Sequence, residues 1–143
     1  MTVTPAALFR GRTVRVHSLN CVEVELQLGF GVSIKKLVLL EGIEQKDIPR
    51  SSRSEAKHCL VVLVGGKKVL VQADAQRKDN YVVGRVFLDE KVYGDPEGMM
   101  TPHGMDKALL EISTFYAWLA TQKYDIQEVK AVLNGDGKVQ ARG

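Results

Sequence analysis

Apolar and polar side chains alternate strictly in one stretch near the start of the chain. Glu23, Glu25 and Gln27 stand between the apolar positions, which are Val22, Val24, Leu26 and Leu28. Because successive side chains of a strand point to opposite faces, this alternation predicts a strand with one buried face. Gly29-Phe30-Gly31 predicts a turn, and Val32 to Ile43 returns as a second long strand. Arg12 to His17 supplies the strand before them, which gives a three-strand meander.

A helical spacing replaces this alternation after the third strand. Ser52 and Glu55 form a Ser-x-x-Glu capping-box pattern, and Gly65-Gly66 is a stop signal. Between them the apolar residues recur at helical intervals, at Ala56, Cys59, Leu60 and Leu63. The pattern predicts one amphipathic helix.

Two more strands and two more helices are predicted in the second half. Lys67 to Asp74 and Tyr81 to Leu88 have the pattern of strands, joined by a polar loop from Ala75 to Asn80. A helix from about Met105 to Thr121 is indicated by a stripe at Leu109, Ile112, Tyr116 and Leu119. Its aromatic cluster of Phe115, Tyr116 and Trp118 predicts the seam on which this helix docks. Asp125 is placed to cap a last helix.

The order of these elements predicts the fold class. Three strands, a helix, two strands and two helices are typical of an α+β fold with a five-stranded Greek-key barrel of the OB type. One helix lies between strands 3 and 4, and two helices follow the barrel. Residues 1–135 are expected to form this domain, and the polar, glycine-rich residues 136–143 are expected to be a flexible tail.

Composition narrows the function classes only a little. The chain has 143 residues and a formal net charge of +3, which permits an anionic partner without requiring nucleic acid. It has no apolar run approaching the roughly 20 residues needed to cross a bilayer. A cytoplasmic protein without a membrane partner is therefore expected. Cys21 and Cys59 are isolated between apolar neighbours and are expected to be reduced core cysteines.

Several motifs resemble the staphylococcal nuclease (thermonuclease-like) family, especially its phage-encoded members. Val22 to Gly31 with the Leu28-Gly29-Phe30-Gly31 turn is followed by Leu39-Leu40-Glu41-Gly42-Ile43-Glu44. The likeness continues in Gly65 to Gln72, and in Asp79-Asn80-Tyr81 with Gly84-Arg85-Val86-Phe87-Leu88. It covers most of residues 12 to 93.

The resemblance implies a calcium-dependent phosphodiesterase with three motifs, and this chain departs from each of them. The family has Asp-Gly-Asp-Thr in the first hairpin, where Ser18-Leu19-Asn20-Cys21 stands here, so the metal-binding carboxylates are replaced by neutral groups. After the third strand, Leu39 occupies the position of the first arginine. Glu44 and Asp47 match the metal ligand and the general base in type, but with changed lengths.

The third motif of the family, Asp-Lys-Tyr-Gly-Arg, is shortened in this chain. Asp79-Asn80-Tyr81 runs directly into Val82-Val83, so the glycine and the second arginine are missing. Arg85 is a weaker candidate replacement, because Gly84 to Leu88 fits the strand that normally follows. Removing one positioned electrostatic group costs about a hundredfold or more in rate. With two arginines and two carboxylates absent, catalysis by the family mechanism is not expected.

The remaining candidates concern binding. Lys35, Lys36, Lys67 and Lys68 are candidates for a basic face, and ordinary lysines that protect strand edges are the alternative. Tyr81 and Phe30 are candidates for stacking on bases, with packing as the alternative. Glu44 and Asp47 are candidates for a weak Ca²⁺ site, although a solvated acidic pair is the commoner arrangement; no cofactor is expected.

The sequence therefore predicts a nuclease-like OB barrel with a degenerate active site, used as a binding or inhibitory module. The expected partner is a host protein, favoured narrowly because the phosphate-gripping arginines are the residues lost. Binding of single-stranded nucleic acid along the old substrate groove is the first alternative. An active calcium-dependent nuclease and a self-associating structural protein are the others.

Overall fold

The computed structural model of this chain describes residues 7–78, 81–90, 100–103 and 107–134. Five strands in the first part form the barrel. They are β1 (Ala7–Ser18), β2 (Cys21–Gly29), β3 (Val32–Leu40), β4 (Lys68–Lys78) and β5 (Tyr81–Leu88). Their order is β3-β2-β1-β4-β5, and a parallel pairing between β3 and β5 closes the sheet on itself. The predicted five-stranded OB-type barrel is confirmed.

Three α-helices accompany the barrel. They are α1 (Arg53–Val64), α2 (Ile112–Thr121) and α3 (Ile126–Asn134), and two 3-10 turns at Gln45–Asp47 and Arg50–Ser52 precede α1. One helix between β3 and β4 and two helices after the barrel is the predicted arrangement. No helix in the described part of the chain is long and apolar enough to cross a bilayer.

The predicted capping box at the start of α1 does not form. Ser52 is the N-cap residue, but its side chain makes no capping hydrogen bond. The reason is local: Ser52 ends the 3-10 turn and has φ −105° and ψ −1°, so its backbone lacks the extended conformation that aims an N-cap hydroxyl at the helix. At the other end, Gly66 has φ +70° and turns the chain into β4, as the glycine pair predicted.

The interior of the barrel follows the predicted alternation except at its end. Val22, Val24 and Leu26 are buried, but Leu28 is 44% exposed, which corrects the expectation that all four share the core. The register of β2 against β3 is interrupted between Gln27 and Gly29, and the pairing of β2 with β1 ends at Gly11↔Leu26, so the β2–β3 hairpin continues beyond the barrel wall at this point. The alternation therefore continues after the core has ended.

The segment before α2 is a strand and not the start of a helix. Lys107–Glu111 forms β7, which pairs with β5 at Phe87↔Glu111 and Leu88↔Leu110 and with β6 (Met100–His103). The predicted helix from about Met105 therefore begins only at Ile112, and Leu109 is a buried strand residue. The unused edge of β5 supplies hydrogen-bond partners, and this tertiary pairing overrides the helical spacing.

Smaller differences concern strand ends. β4 continues to Lys78, so residues 75–78 of the predicted loop are strand, and β3 ends at Leu40, where Glu41-Gly42 turns the chain. The two cysteines are free, as predicted; Cys59 is in the core, whereas Cys21 is only half-buried. The predicted tail, residues 136–143, lies outside the described residues.

The aromatic residues of α2 form the predicted docking seam. Phe115 and Trp118 are buried, with ring centroids 5.3 Å apart. The Tyr116 hydroxyl lies 2.8 Å from the carbonyl oxygen of Leu19 and 3.1 Å from that of Ala56, so its one proton is shared between two acceptors. α2 is thereby joined both to the β1–β2 turn and to α1.

Candidate functional site

The β1–β2 turn lies beside the segment that follows β3, and hydrogen bonds connect the two. The Ser18 hydroxyl donates to Oδ1 of Asn20 at 2.9 Å, and Nδ2 of Asn20 donates to the carbonyl oxygen of Ile43 at 3.3 Å. The backbone N–H of Leu40 donates to the Asn20 carbonyl at 2.8 Å. Ser18 and Asn20, the first-motif positions, are thus held against the segment that leads into Glu44.

These hydrogen bonds are those of a neutral site. A Ca²⁺ ion is bound by six to eight oxygen atoms, several of them from carboxylates. Here Nδ2 of Asn20 donates to the Ile43 carbonyl oxygen, and Oδ1 of Asn20 already accepts a hydrogen bond from the Ser18 hydroxyl. The positive end of the Asn20 amide dipole therefore points at the Ile43 carbonyl oxygen, which is already an acceptor.

Glu44 and Asp47 flank the 3-10 turn after β3 and are both exposed. The nearest basic group to Glu44 is the Lys46 ammonium, 3.9 Å from Oε2, in a largely solvated pair. The backbone N–H of Asp47 donates to the carbonyl oxygen of Glu44 at 3.0 Å. Among the described residues, no group of three or more His, Cys, Asp or Glu side chains is arranged to hold a metal ion.

Leu39 occupies the middle of an apolar row on the outer face of the barrel. It lies in register with Cys21 of β2 and with Val83 of β5, and all three side chains are half-buried. Burial raises the pKa of the Cys21 thiol above its ordinary value, which keeps it protonated at neutral pH. We call Cys21, Leu39 and Val83 the Leu39 row. It presents hydrocarbon and a neutral thiol where the resemblance expects arginine.

Arg85 is engaged by a buried carboxylate. Its Nε donates to Oε2 of Glu111 at 2.8 Å and its Nη2 to Oε1 at 3.1 Å, a bidentate pair in which the Glu111 side chain is 7% exposed. The hydrogen bonds to Glu111 raise the pKa of Arg85, and the negative charge of Glu41 acts in the same direction. Arg85 therefore balances acidic groups of its own chain, and its guanidinium is already engaged in a bidentate pair.

The four candidate lysines do not gather on one face. Lys35 and Lys36 are neighbours on β3, so their side chains point to opposite faces. The Lys67 ammonium donates to the carbonyl oxygen of Val62 at 2.7 Å, near the end of α1, and desolvation lowers its pKa. Lys68 is exposed on β4, in register with Arg12.

The two aromatic candidates differ in what the structure describes. Phe30 is fully exposed at the tip of the β2–β3 hairpin, with φ +56° between two glycines that also have positive φ. The backbone of Tyr81 pairs with Leu37 at the start of β5, and its side chain lies outside the described residues, as do Asp79 and Asn80.

The sequence reasoning missed one charged cluster on this outer face. The Glu23 carboxylate lies 3.2 Å from Nε2 of His17 and 3.2 Å from Nη2 of Arg15. Hydrogen bonds from His17 first and Arg15 second lower the pKa of Glu23, although desolvation opposes them. The register of β1 against β2 places Arg15 opposite Glu23. A pairing of these two predicted strands was the signal that could have identified the cluster.

Comparison with known proteins does not assign this chain to a family. Neither a protein-family model nor a curated protein matches this chain.

Proposed function

We propose that this protein is a non-catalytic binding module built on a nuclease-like OB barrel, and that its partner is a protein. The outer face of β2, β3 and β5, centred on the Leu39 row, is the proposed contact surface. The resemblance to phage-encoded nucleases suggests that this partner belongs to a host cell and that binding inhibits it.

The observation that carries this proposal is the Asn20 contact. In the β1–β2 turn the hydroxyl of Ser18 and the amide of Asn20 stand where a cation site would need carboxylates, and their hydrogen bonds are made to each other and to the Ile43 carbonyl oxygen. Metal-assisted hydrolysis needs such ligands to generate the nucleophile and to stabilise the developing charge. The pairing of Arg85 with Glu111 also supports a non-catalytic role. Arg85 follows Tyr81 in the third motif of the resemblance, and its charge is already neutralised by this carboxylate.

Charge and polarity on the proposed surface favour a protein over a nucleic acid. Binding of a phosphate backbone requires several cations aligned on one face. Here the half-buried apolar Leu39 row is flanked by the Glu23 cluster, and one of the four lysines is used to hold the end of α1. Apolar centres with a charged rim are typical of protein interfaces.

The first test is a nuclease assay on the purified protein with single- and double-stranded DNA and RNA. We expect no digestion over hours in calcium, magnesium or manganese, and no calcium-dependent shift of the melting temperature. The Ser18→Asp/Asn20→Asp variant is the matched comparison, because it restores carboxylates at both positions. Calcium-dependent digestion by the natural protein, abolished by Glu44→Gln, would overturn the proposal.

The second test is co-purification of tagged protein from host lysate, with and without added nuclease. A retained protein should survive nuclease treatment and be lost from Leu39→Glu. Val14→Glu is the control, since Val14 is an exposed apolar residue elsewhere on β1. Loss of the signal after nuclease treatment, with binding to single-stranded DNA that falls steeply with salt, would favour nucleic acid instead.

A further inference from the structure

We propose that the free edge of β3, residues Val32 to Lys36, pairs with the same edge of a second copy of this chain to form a closed two-fold dimer. This dimer goes beyond the proposed function, because its interface lies at the tip end of the β2–β3 hairpin, whereas the partner surface proposed above is centred on the Leu39 row. It depends on the hydrogen-bonding pattern, the polarity and the charges of the β2–β3 hairpin.

The first observation is an edge that the barrel leaves unpaired. β3 pairs with β2 along its length, but its pairing with β5 covers only Leu37 to Leu40. Among the described residues, Val32 to Lys36 therefore have a strand on one side only. An open strand edge of this kind carries unsatisfied N–H and C=O groups and is a template for another strand.

The second observation fixes which backbone groups are free. The Leu40 N–H donates to Asn20 of the β1–β2 turn, which is the β2 side, and the Glu41 N–H donates to Gly84 on the β5 side. Because strand backbone groups alternate in direction, even-numbered residues of β3 address β2 and odd-numbered residues address the other edge. Ser33 and Lys35 are therefore the residues whose N–H and C=O groups point outward in the free segment.

These positions favour a symmetric register in which both residues pair across the interface. A two-fold axis beside Ile34 pairs Ser33 of each copy with Lys35 of the other and makes four interchain backbone hydrogen bonds. An axis beside Lys35 would set two ammonium groups directly opposite, which is destabilising. The ladder ends where β5 takes over the edge of β3 at Leu37, so the assembly closes as a dimer.

Charges on the polar face complement each other in this register. Lys35 lies opposite Glu25 within one copy, and the Ser33 hydroxyl donates to Oε2 of Glu25 at 3.0 Å. The Glu25 carboxylate is thereby drawn towards Ser33, which is the residue that Lys35 of the second copy faces. Two equivalent Lys35–Glu25 ion pairs then cross the interface.

The other face of the hairpin supplies apolar contact. Leu28, Val32 and Ile34 are 44%, 53% and 38% exposed in the single chain, an unusual concentration for a solvated ribbon. In the proposed register the two Ile34 side chains meet at the axis. The methylene groups of Lys36 lie over Val32 of the other copy, with the ammonium free to reach water.

Disulfide trapping tests the register directly. In a Cys21→Ser background the remaining native thiol, Cys59, is buried in the core. We expect Ile34→Cys to oxidise to a linked dimer, because side chains directly opposite at a non-hydrogen-bonded pair are about 4.5–5.5 Å apart. Ser33→Cys and Lys35→Cys are the matched controls on the same edge, and each should give far less dimer. Equal trapping of all three variants, or a maximum at Lys35→Cys, would overturn the proposed register.

Sedimentation equilibrium tests the association without new cysteines. The mass should rise with concentration from 15.8 kDa towards twice that value. Ile34→Lys should abolish the rise, and Val61→Lys should not, since Val61 is a similarly exposed apolar residue on α1. Lys35→Glu should weaken the dimer by about tenfold, and Glu25→Lys/Lys35→Glu should restore it. A natural protein that stays monomeric at every concentration, with no excess trapping of Ile34→Cys, would refute the dimer.

Discussion

The two ends of the β2–β3 hairpin are built in opposite ways. At one end, Leu39 is covered by strands on both sides, and the neighbouring turn satisfies its polar groups through Asn20. At the other end, Ile34 has a strand on one side only within the described part of the chain, and Phe30 is fully exposed at the tip. We call the first end the closed end, because its polar groups form hydrogen bonds within the chain. The second, the free end, has a strand edge without a partner among the described residues, together with exposed apolar side chains.

This difference shows that one end of the hairpin satisfies its polar groups within the chain, whereas the other leaves groups available for association. Among the described residues of the β1–β2 turn, the Ser18 hydroxyl and the Asn20 side-chain amide have hydrogen-bond partners within the chain. Arg85 and Glu111 likewise neutralise each other. The surfaces available for association are then the Leu39 row and the free end of the β2–β3 hairpin.

The largest expected effect is the loss of stability when the ion pair between Arg85 and Glu111 is broken. Arg85→Met leaves the Glu111 carboxylate buried without its bidentate partner. Breaking a buried pair costs about 3–5 kcal/mol, but Arg85 is about half exposed, so solvent screening reduces the expected loss to about 2 kcal/mol. Urea denaturation at neutral pH measures it.

Two further variants complete this experiment. Lys46→Met removes the solvated 3.9 Å partner of Glu44 and should change the free energy of unfolding by less than about 0.5 kcal/mol. Arg85→Met/Glu111→Leu should recover most of the loss, since an apolar pair avoids the desolvated charge. If Arg85→Met costs no more than Lys46→Met, then Arg85 is not committed to Glu111 and is available to a ligand.

A smaller effect of opposite sign is expected at the hairpin tip. Phe30 has φ +56° and an exposed ring, so its backbone is strained without compensating packing. Asn tolerates this conformation, and Asn-Gly is the preferred pair for a two-residue turn with positive φ at both positions. Phe30→Asn should therefore raise the free energy of unfolding by about 0.5–1 kcal/mol.

The control at the same position is Phe30→Val. A β-branched residue is poorly suited to positive φ, so this variant should unfold at lower urea concentration than Phe30→Asn. Both measurements belong at low protein concentration, where association contributes little. A loss of stability in Phe30→Asn would mean that the ring packs on something, and the tip would then not be the free end described above.

How far the sequence predicts this fold depends on whether a segment is governed by its own pattern or by a distant partner. The alternation of Val22, Val24 and Leu26 and the spacing of Cys59 and Leu63 identify β2 and α1, because burial repeats with the local period. Lys107–Glu111 has a spacing continuous with α2, and its pairing with β5 and β6 makes it a strand. Those pairing partners are not encoded in the local pattern.

The candidate site divides in the same way. The residue types at Ser18, Asn20 and Leu39 predict directly that these positions are uncharged. The contact from Asn20 to Ile43 spans 23 positions, and that from Arg85 to Glu111 spans 26, so neither follows from motif spacing. The sequence offers one signal for Glu111, which is a single carboxylate within an apolar run. The predicted helix would have placed that side chain on its solvent-exposed face, so the signal does not identify a buried ion pair.

The smallest expected effect concerns Glu23, which lies between the two ends of the hairpin, in register with Leu37. Its pKa is lowered below the ordinary 4.5 by the His17 hydrogen bond first and Arg15 second. A carboxylate whose pKa is lower in the folded state stabilises the fold above its unfolded pKa. That contribution should be lost as the pH falls from about 5 through the folded pKa.

The experiment compares urea midpoints of the natural protein and Glu23→Gln across this acid range. The difference between the two should be greatest at neutral pH and shrink on acidification, since the natural protein loses a contribution that the variant lacks. Repeating the comparison in a His17→Asn background should reduce the acid-dependent part, because the main cause of the shift has been removed. A difference that stays constant down to pH values below 4.5 would show that the cluster is held no more firmly than a solvated ion pair, and that only the closed end of the hairpin is electrostatically organised.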